Sequence, residues 1–215
     1  MRINKYLASA TGYSRREVDK LIEENRIKVN GELPQIGQSV DETDSITVDG
    51  ANVQQVANKT TIMLNKPVGY VCSRDGQGSQ TIYDLLPVQY ERLKPVGRLD
   101  KDSSGLILLT DDGDLAHQLT HPSFEKTKVY KIELGAPLND MQRKQIEQGI
   151  HLEDGISTLA LKGGGTAWEV TMHEGRNRQI RRTFEAIGYQ VTKLHRTGFG
   201  EYSLGDLGLG KFKAA

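Results

Sequence analysis

Apolar positions recur at helical spacing from the first residues of the chain. Ile3, Tyr6 and Leu7 fall on one face, and Ser14 can cap a second helix, running to about Glu24, whose stripe is Val18, Leu21 and Ile22. The pattern then changes to alternation. RIKVNG (residues 26–31) and SITVDG (45–50) each read as a short strand closing on an Asn-Gly or Asp-Gly turn. A small helices-then-strands module of about 50 residues is the expectation, because the apolar face of a helix pair needs a second layer to cover it.

The stretch QQVANKT (residues 54–60) is polar and weakly periodic, and an apolar segment follows it, which puts a domain boundary near residues 57–60. The expected division is 1–57 and 58–215. Beyond the boundary, residues 62–64, 70–73, 105–110, 129–134 and 167–172 read as strands, and helices are expected at about 114–120, 139–148 and 178–187. Strands predominate without regular strand–helix–strand repetition, so the predicted class is α+β on a mixed, mainly antiparallel sheet. The triple glycine at 163–165 lacks the ending of a phosphate-binding loop and reads as a hairpin connection.

Composition narrows the field little. Twenty-eight basic residues offset 28 acidic ones, so a nucleic-acid partner has to be argued from local clustering. Such a cluster exists at the start: Arg2, Lys5, Arg15, Arg16, Lys20, Arg26 and Lys28 stand against Glu17, Asp19, Glu23 and Glu24, an excess of 7 − 4 = 3. The single cysteine, Cys72, excludes an internal disulfide and a multi-cysteine zinc site, and is expected to be a buried, inert thiol. No segment reaches the roughly 18 apolar residues of a membrane helix, and the opening residues do not form a secretory signal, so a soluble cytoplasmic protein is expected.

The most distinctive segment is GRLDKDSSGLILLT (residues 97–110), in which a polar, glycine-bounded loop runs directly into an apolar strand. Catalytic groups favour such loops, because a rigid element fixes the loop while the loop reaches the substrate. By composition alone, Asp100, Asp102, Ser103 and Ser104 could equally serve only to bond backbone amides in a turn.

This segment resembles the signature of the RsuA/RluB/RluE/RluF group of pseudouridine synthases. LNKPVGYVCS (64–73) looks like that group's first motif, KVYK (128–131) its tyrosine motif and GRNRQIRR (175–182) its basic motif, all in the family order. The first 50 residues resemble the S4 RNA-binding module that precedes the catalytic domain in the group. The resemblance implies Asp100 as the essential carboxylate, Tyr130 as the residue packed on the target base, and Arg181 as the cation paired with Asp100. It further implies that Lys66, Arg98, Arg176, Arg178 and Ile180 contact the substrate, and that Arg15, Arg16 and Lys20 meet the RNA backbone. These residue types suit the reaction. Uracil N1 must part from ribose C1′ and the base must rejoin through C5, which calls for a carboxylate at the sugar, a flat face for the loose base and cations for phosphates.

The resemblance implies no cofactor and no metal, ribosomal RNA or an assembly particle as partner, neither DNA nor membrane, and a monomer. Residues 101–105 and 177–182 look more like RluB or RluF than RsuA, which implies the large-subunit RNA. One departure stands out: GDLGLGKFKAA (205–215) lacks the Lys-Pro-Gly and following helix usual in the group. A non-catalytic RNA-binding protein is the alternative, and a hydrolase using Asp102 as second acid a further one, distinguished by release of free uracil. His117 and His121, four apart, lack a third ligand and a base for zinc, and residues 111–114 are too short for a calcium loop.

Overall fold

A computed structural model of the protein describes residues 1–53 and 59–215. The expected boundary at 57–58 lies outside the described residues. The chain divides into two compact units, Met1–Thr60 with Asp111–Gly113, and Thr61–Thr110 with Asp114–Ala215.

In the first unit, helices α1 (Ile3–Ala10) and α2 (Arg15–Glu23) pack beside strands β1 (Ile27–Val29), β2 (Ile46–Val48) and β3 (Ala51–Asn52), which pair antiparallel in that order. Ser14 starts α2 with a reciprocal cap: its Oγ accepts from the Glu17 amide at 3.2 Å, and the Glu17 carboxylate accepts from the Ser14 amide. Ile3, Leu7, Val18, Ile27 and Ile46 form the core of this unit. Both turn signals hold. Asn30 with Gly31 and Asp49 with Gly50 all take positive φ, as two-residue hairpin turns between twisted strands require. Arg15, Arg16 and Lys20 are exposed on α2, away from its buried Val18, Leu21 and Ile22, and Lys20 lies 3.7 Å from Glu24.

The second unit is built on a sheet that has nine strands among the described residues. Its main path consists of β4 (Thr61–Lys66), β6 (Ser104–Thr110), β7 (Lys128–Leu134), β10 (Ala160–Gly164), β11 (Ala167–Met172), β12 (Val191–Phe199) and β14 (Phe212–Ala214), in the order β10-β11-β7-β12-β6-β4-β14. Two short strands attach to it, β5 (Lys94–Pro95) on β6 and β13 (Tyr202–Ser203) on β12. The β6–β12 pair is parallel and every other pair in this sheet is antiparallel, in line with the expected mixed class. A separate hairpin joins β8 (Ile150–Leu152) to β9 (Gly155–Ser157). Helices α3 (Gly113–Thr120), α4 (Asp140–Gln148) and α5 (Gln179–Glu185) complete the elements.

Strand β6 is apolar along its whole length because both of its faces are covered. Ile107 and Leu109 belong to the larger core with Ile62 and Leu64, while Leu106 and Leu108 belong to the opposite one with Met63 and Phe199. The glycine-rich hairpin is present as the β10–β11 connection, with Gly165 at φ 59°. Among the described residues, no helix is long and apolar enough to cross a membrane.

Two expectations about strands are corrected. Residues 70–73 do not form a strand; Val71 makes one isolated bridge, to Thr81, and the rest of the segment turns. Conversely, β12, the longest strand in the sheet, was not expected from the pattern. Its register shifts between Val191 and Lys193 and again between Arg196 and Gly198, so its apolar residues do not alternate.

Candidate active site

The loop of residues 97–103 is held from beneath. Lys66, the last residue of β4 and opposite Gly105 in register, is fully buried. Its Nζ donates to the backbone oxygens of Asp100 at 3.0 Å, Ser103 at 2.6 Å and Pro67 at 3.0 Å. Burial pushes the Lys66 pKa down from its ordinary value, with Cys72, Asp100 and Asp102 pulling the other way. Further ties run from the Gly69 amide to Lys101 O at 2.7 Å and from the Leu99 amide to the Cys72 sulfur at 3.4 Å. Cys72 is buried and its thiol is pushed up by that burial, as expected of an inert group.

Gly105, where the loop enters β6, sits at φ 108°, and a Cβ there would lie 2.2 Å from the Arg196 carbonyl oxygen. Glycine is therefore required for β6 and β12 to approach. The loop is thus carried by the strand pair at the centre of the sheet.

Above it opens a cleft of about 810 Å³, lined among others by Arg98, Asp100, Tyr130, Arg178, Ile180 and Arg196. Tyr130 is only 8% exposed and stands in β7 between Val170 of β11 and Arg196 of β12. Arg98 is exposed, and no carboxylate pairs with it among the described residues. Ile180 is buried in the first turn of α5 and contributes an apolar wall.

The basic motif divides its labour in a way that spacing did not reveal. Arg178, not Arg181, is the cation beside Asp100, with Nη1 at 3.5 Å from Oδ2. The same guanidinium grips Asp102 with two bonds, at 3.0 and 2.9 Å. Those bonds, against the cost of burial and with the Arg181 charge adding to them, hold the Asp102 pKa below the usual carboxylate range. Arg178 reaches both carboxylates from a left-handed backbone, φ 47° and ψ 29°, at the start of α5, a conformation uncommon for a non-glycine residue.

Arg181 was expected to pair with Asp100, and the geometry corrects this. One turn further into α5, it donates to Val191 O at 2.7 Å and Asp102 O at 2.9 Å, and its Nε lies 3.3 Å from the Asp102 carboxylate. Lys66 and Arg176 were expected to bind substrate; in the structure both bond other parts of the chain, and Arg176 also lines the cleft. The three carbonyls saturate the Lys66 ammonium, and Arg176 bonds Asp154, Gly155, Ile156 and Glu174. Arg182 likewise grips Asp154, at 2.6 and 3.0 Å. Asp102 therefore emerges as the organising anion. Its place two residues after Asp100 was the available signal, and only convergence with α5 gives it that role.

The His117 and His121 rings lie 4.9 Å apart, tilted by 35°, with Phe124 close by, and among the described residues no cluster of three metal-ligating side chains occurs.

Residues 60–186 match the model of the RNA pseudouridylate synthase family and residues 1–46 that of the S4 domain. The chain is 40% identical over 223 residues to an uncharacterized RNA pseudouridine synthase of Aquifex aeolicus (strain VF5), covering 99% of this chain and 89% of that one. It is 38% identical over 220 residues to ribosomal large subunit pseudouridine synthase B of Bacillus subtilis (strain 168), covering 97% and 89%. A crystal structure of a pseudouridylate synthase superposes with a TM-score of 0.73 at 32% identity, covering 100% of this chain and 96% of that chain.

Proposed function

The chain belongs to the RNA pseudouridylate synthase family, and we propose that it isomerises a uridine of large-subunit ribosomal RNA to pseudouridine with Asp100 as the catalytic carboxylate. The observation that carries this reading is the placing of Asp100 in the cleft, on a loop whose backbone Lys66 clamps from below, beside Tyr130 and Arg178.

The target nucleotide leaves its stack and enters the cleft, where Tyr130 offers its ring to the base. Asp100, kept in direction by Arg178, engages the ribose, either by adding to C1′ or by taking the C2′ proton. Both routes need a carboxylate at this place. Arg98, exposed at the rim, is suited to a phosphate of the RNA chain. No redox change occurs, so the chemistry requires no cofactor. Residues 1–57 serve as the docking module, with Arg15, Arg16 and Lys20 of α2 meeting the RNA backbone, and residues 58–215 as the catalytic module.

The test is tritium release from ribosomal RNA labelled at uracil C5, prepared from cells lacking the enzyme, because C5 loses its hydrogen only when it becomes the glycosidic carbon. Release by the wild type and none by Asp100→Asn is expected. Full release by the purified, folded Asp100→Asn variant would remove Asp100 from its role.

A further inference from the structure

Beside Asp100, the strand pair β7–β12 lines the cleft with Lys128, Tyr130, Arg196 and Phe199, together with Leu194. In register, Tyr130 is opposite Arg196 and Lys128 is opposite Phe199. The bulge between Arg196 and Gly198 supplies the extra residue that brings Phe199 onto the face of Arg196. Accordingly the Arg196 Cζ lies 4.8 Å, and the Lys128 Nζ 5.4 Å, from the centroid of the Phe199 ring.

These two cations have few partners. Arg196 is only 2% exposed; its Nε donates to Leu106 O at 2.7 Å, and its Nη2 is buried with no hydrogen-bond partner. Among the described residues no carboxylate lies within ion-pair distance of it. Lys128 Nζ donates to Lys126 O at 3.3 Å. Burial lowers the Lys128 pKa, the charge of Arg196 lowers it further, and Glu174 opposes both. A buried guanidinium without a counter-anion is costly, and an anion arriving in the cleft would relieve it.

The reaction proposed above generates such an anion. When the C1′–N1 bond breaks, its electron pair stays on N1 and spreads to the uracil O2 and O4 oxygens. In one route the Asp100 oxygen bonds to C1′ as N1 leaves; in the other Asp100 takes the C2′ proton and the C1′–C2′ double bond forms as N1 leaves. We infer that Arg196, supported by Lys128, stabilises this departing uracil anion while it lies against Tyr130, a role that rests on the functional reading above. Recombination then closes the balance: C5 bonds to C1′, Asp100 recovers its free carboxylate, the C5 proton passes to water and N1 takes a proton from water. In the second route, C2′ also regains its proton from Asp100. A phosphate is the poorer fit for this place, because the phosphodiester chain stays in water and the exposed Arg98 is there to meet it.

The experiment is single-turnover cleavage of the glycosidic bond in RNA carrying uridine or 5-fluorouridine, read by nuclease digestion and mass spectrometry of the nucleosides. Fluorine stabilises the uracil anion, so a protein group doing the same work matters less on the fluorinated substrate. Arg196→Gln is expected to slow uridine by about 100-fold, as for loss of one donor to a developing oxyanion, and 5-fluorouridine by about tenfold or less, with RNA affinity unchanged. Arg196→Lys should recover part of the uridine rate. Lys128→Met, at a half-buried position, should show the same inequality with a smaller loss, and it decides the matter if Arg196→Gln melts below the assay temperature. Equal losses on both substrates, or a loss confined to RNA affinity, would overturn the role of these cations. A wild type that converts neither substrate would overturn the functional reading itself.

Discussion

Lys66 and Asp100 meet through the backbone: the Lys66 Nζ donates to the Asp100 carbonyl oxygen at 3.0 Å, while the Asp100 carboxylate is left to Arg178 at 3.5 Å. The lysine thereby fixes where the aspartate stands without neutralising it. Lys66→Met should leave three buried or half-buried carbonyls without their donor and cost about 3 kcal/mol of stability. The turnover rate should fall more than RNA affinity does. Urea denaturation beside single-turnover kinetics checks both, and an unchanged denaturation midpoint would mean that the clamp contributes nothing.

Gly105→Ala tests the entry of the loop into β6. The added methyl would lie 2.2 Å from the Arg196 carbonyl oxygen, at a φ of 108° that side chains rarely adopt. A loss of at least about 3 kcal/mol is expected, the range of a strained backbone combined with a steric clash. Thermal melting measures it, and a wild-type melting temperature would show that β6 and β12 can separate freely.

Asp102 gives the protein an acid-sensitive element. Its pKa lies below the ordinary carboxylate range in the folded protein, first through the hydrogen bonds from Arg178. The folded state therefore binds this proton less readily than the unfolded chain. Its contribution is fully present above the ordinary carboxylate range, about pH 4, and disappears as pH falls through the lowered native value. The stability gap between wild type and Asp102→Asn should be widest near neutrality and should close steadily below about pH 4. Urea titrations across that window test this; a gap independent of pH would detach Asp102 from the stabilising ion pair.

On the first unit, Arg15, Arg16 and Lys20 are proposed to face phosphates. Replacing all three with Gln in the full chain should lower the slope of log affinity against log salt by about 2, from roughly 0.7 for each phosphate contact to single-stranded RNA. Binding measured at several salt concentrations reads the slope directly, and an unchanged slope would place the docking surface elsewhere.

The sequence by itself determined whatever depends on neighbours along the chain. The Ser14 cap with Glu17 three residues on, the Asn-Gly and Asp-Gly turns, the apolar run of β6 and the polar loop that feeds it are local patterns. They survive in the fold because short-range sterics and hydrogen bonds decide them. The same holds for the order of motifs that marked the family. What only the tertiary structure decided is which charge meets which. Four arginines within seven residues look alike on paper, yet Arg178 reaches Asp100, Arg181 spans Asp102 and Val191, and Arg176 and Arg182 hold Asp154. Arg178 and Asp102 are 76 positions apart, so their pairing depends on where the start of α5 lands against the loop that precedes β6. Lys66 looked like a substrate ligand until burial showed its ammonium committed to three carbonyls. Arg196 escaped notice because the bulges of β12 break the alternation that would have marked a strand. Ion pairing and desolvation act over a few ångströms in space, and positions along a chain do not encode that distance until the chain has folded.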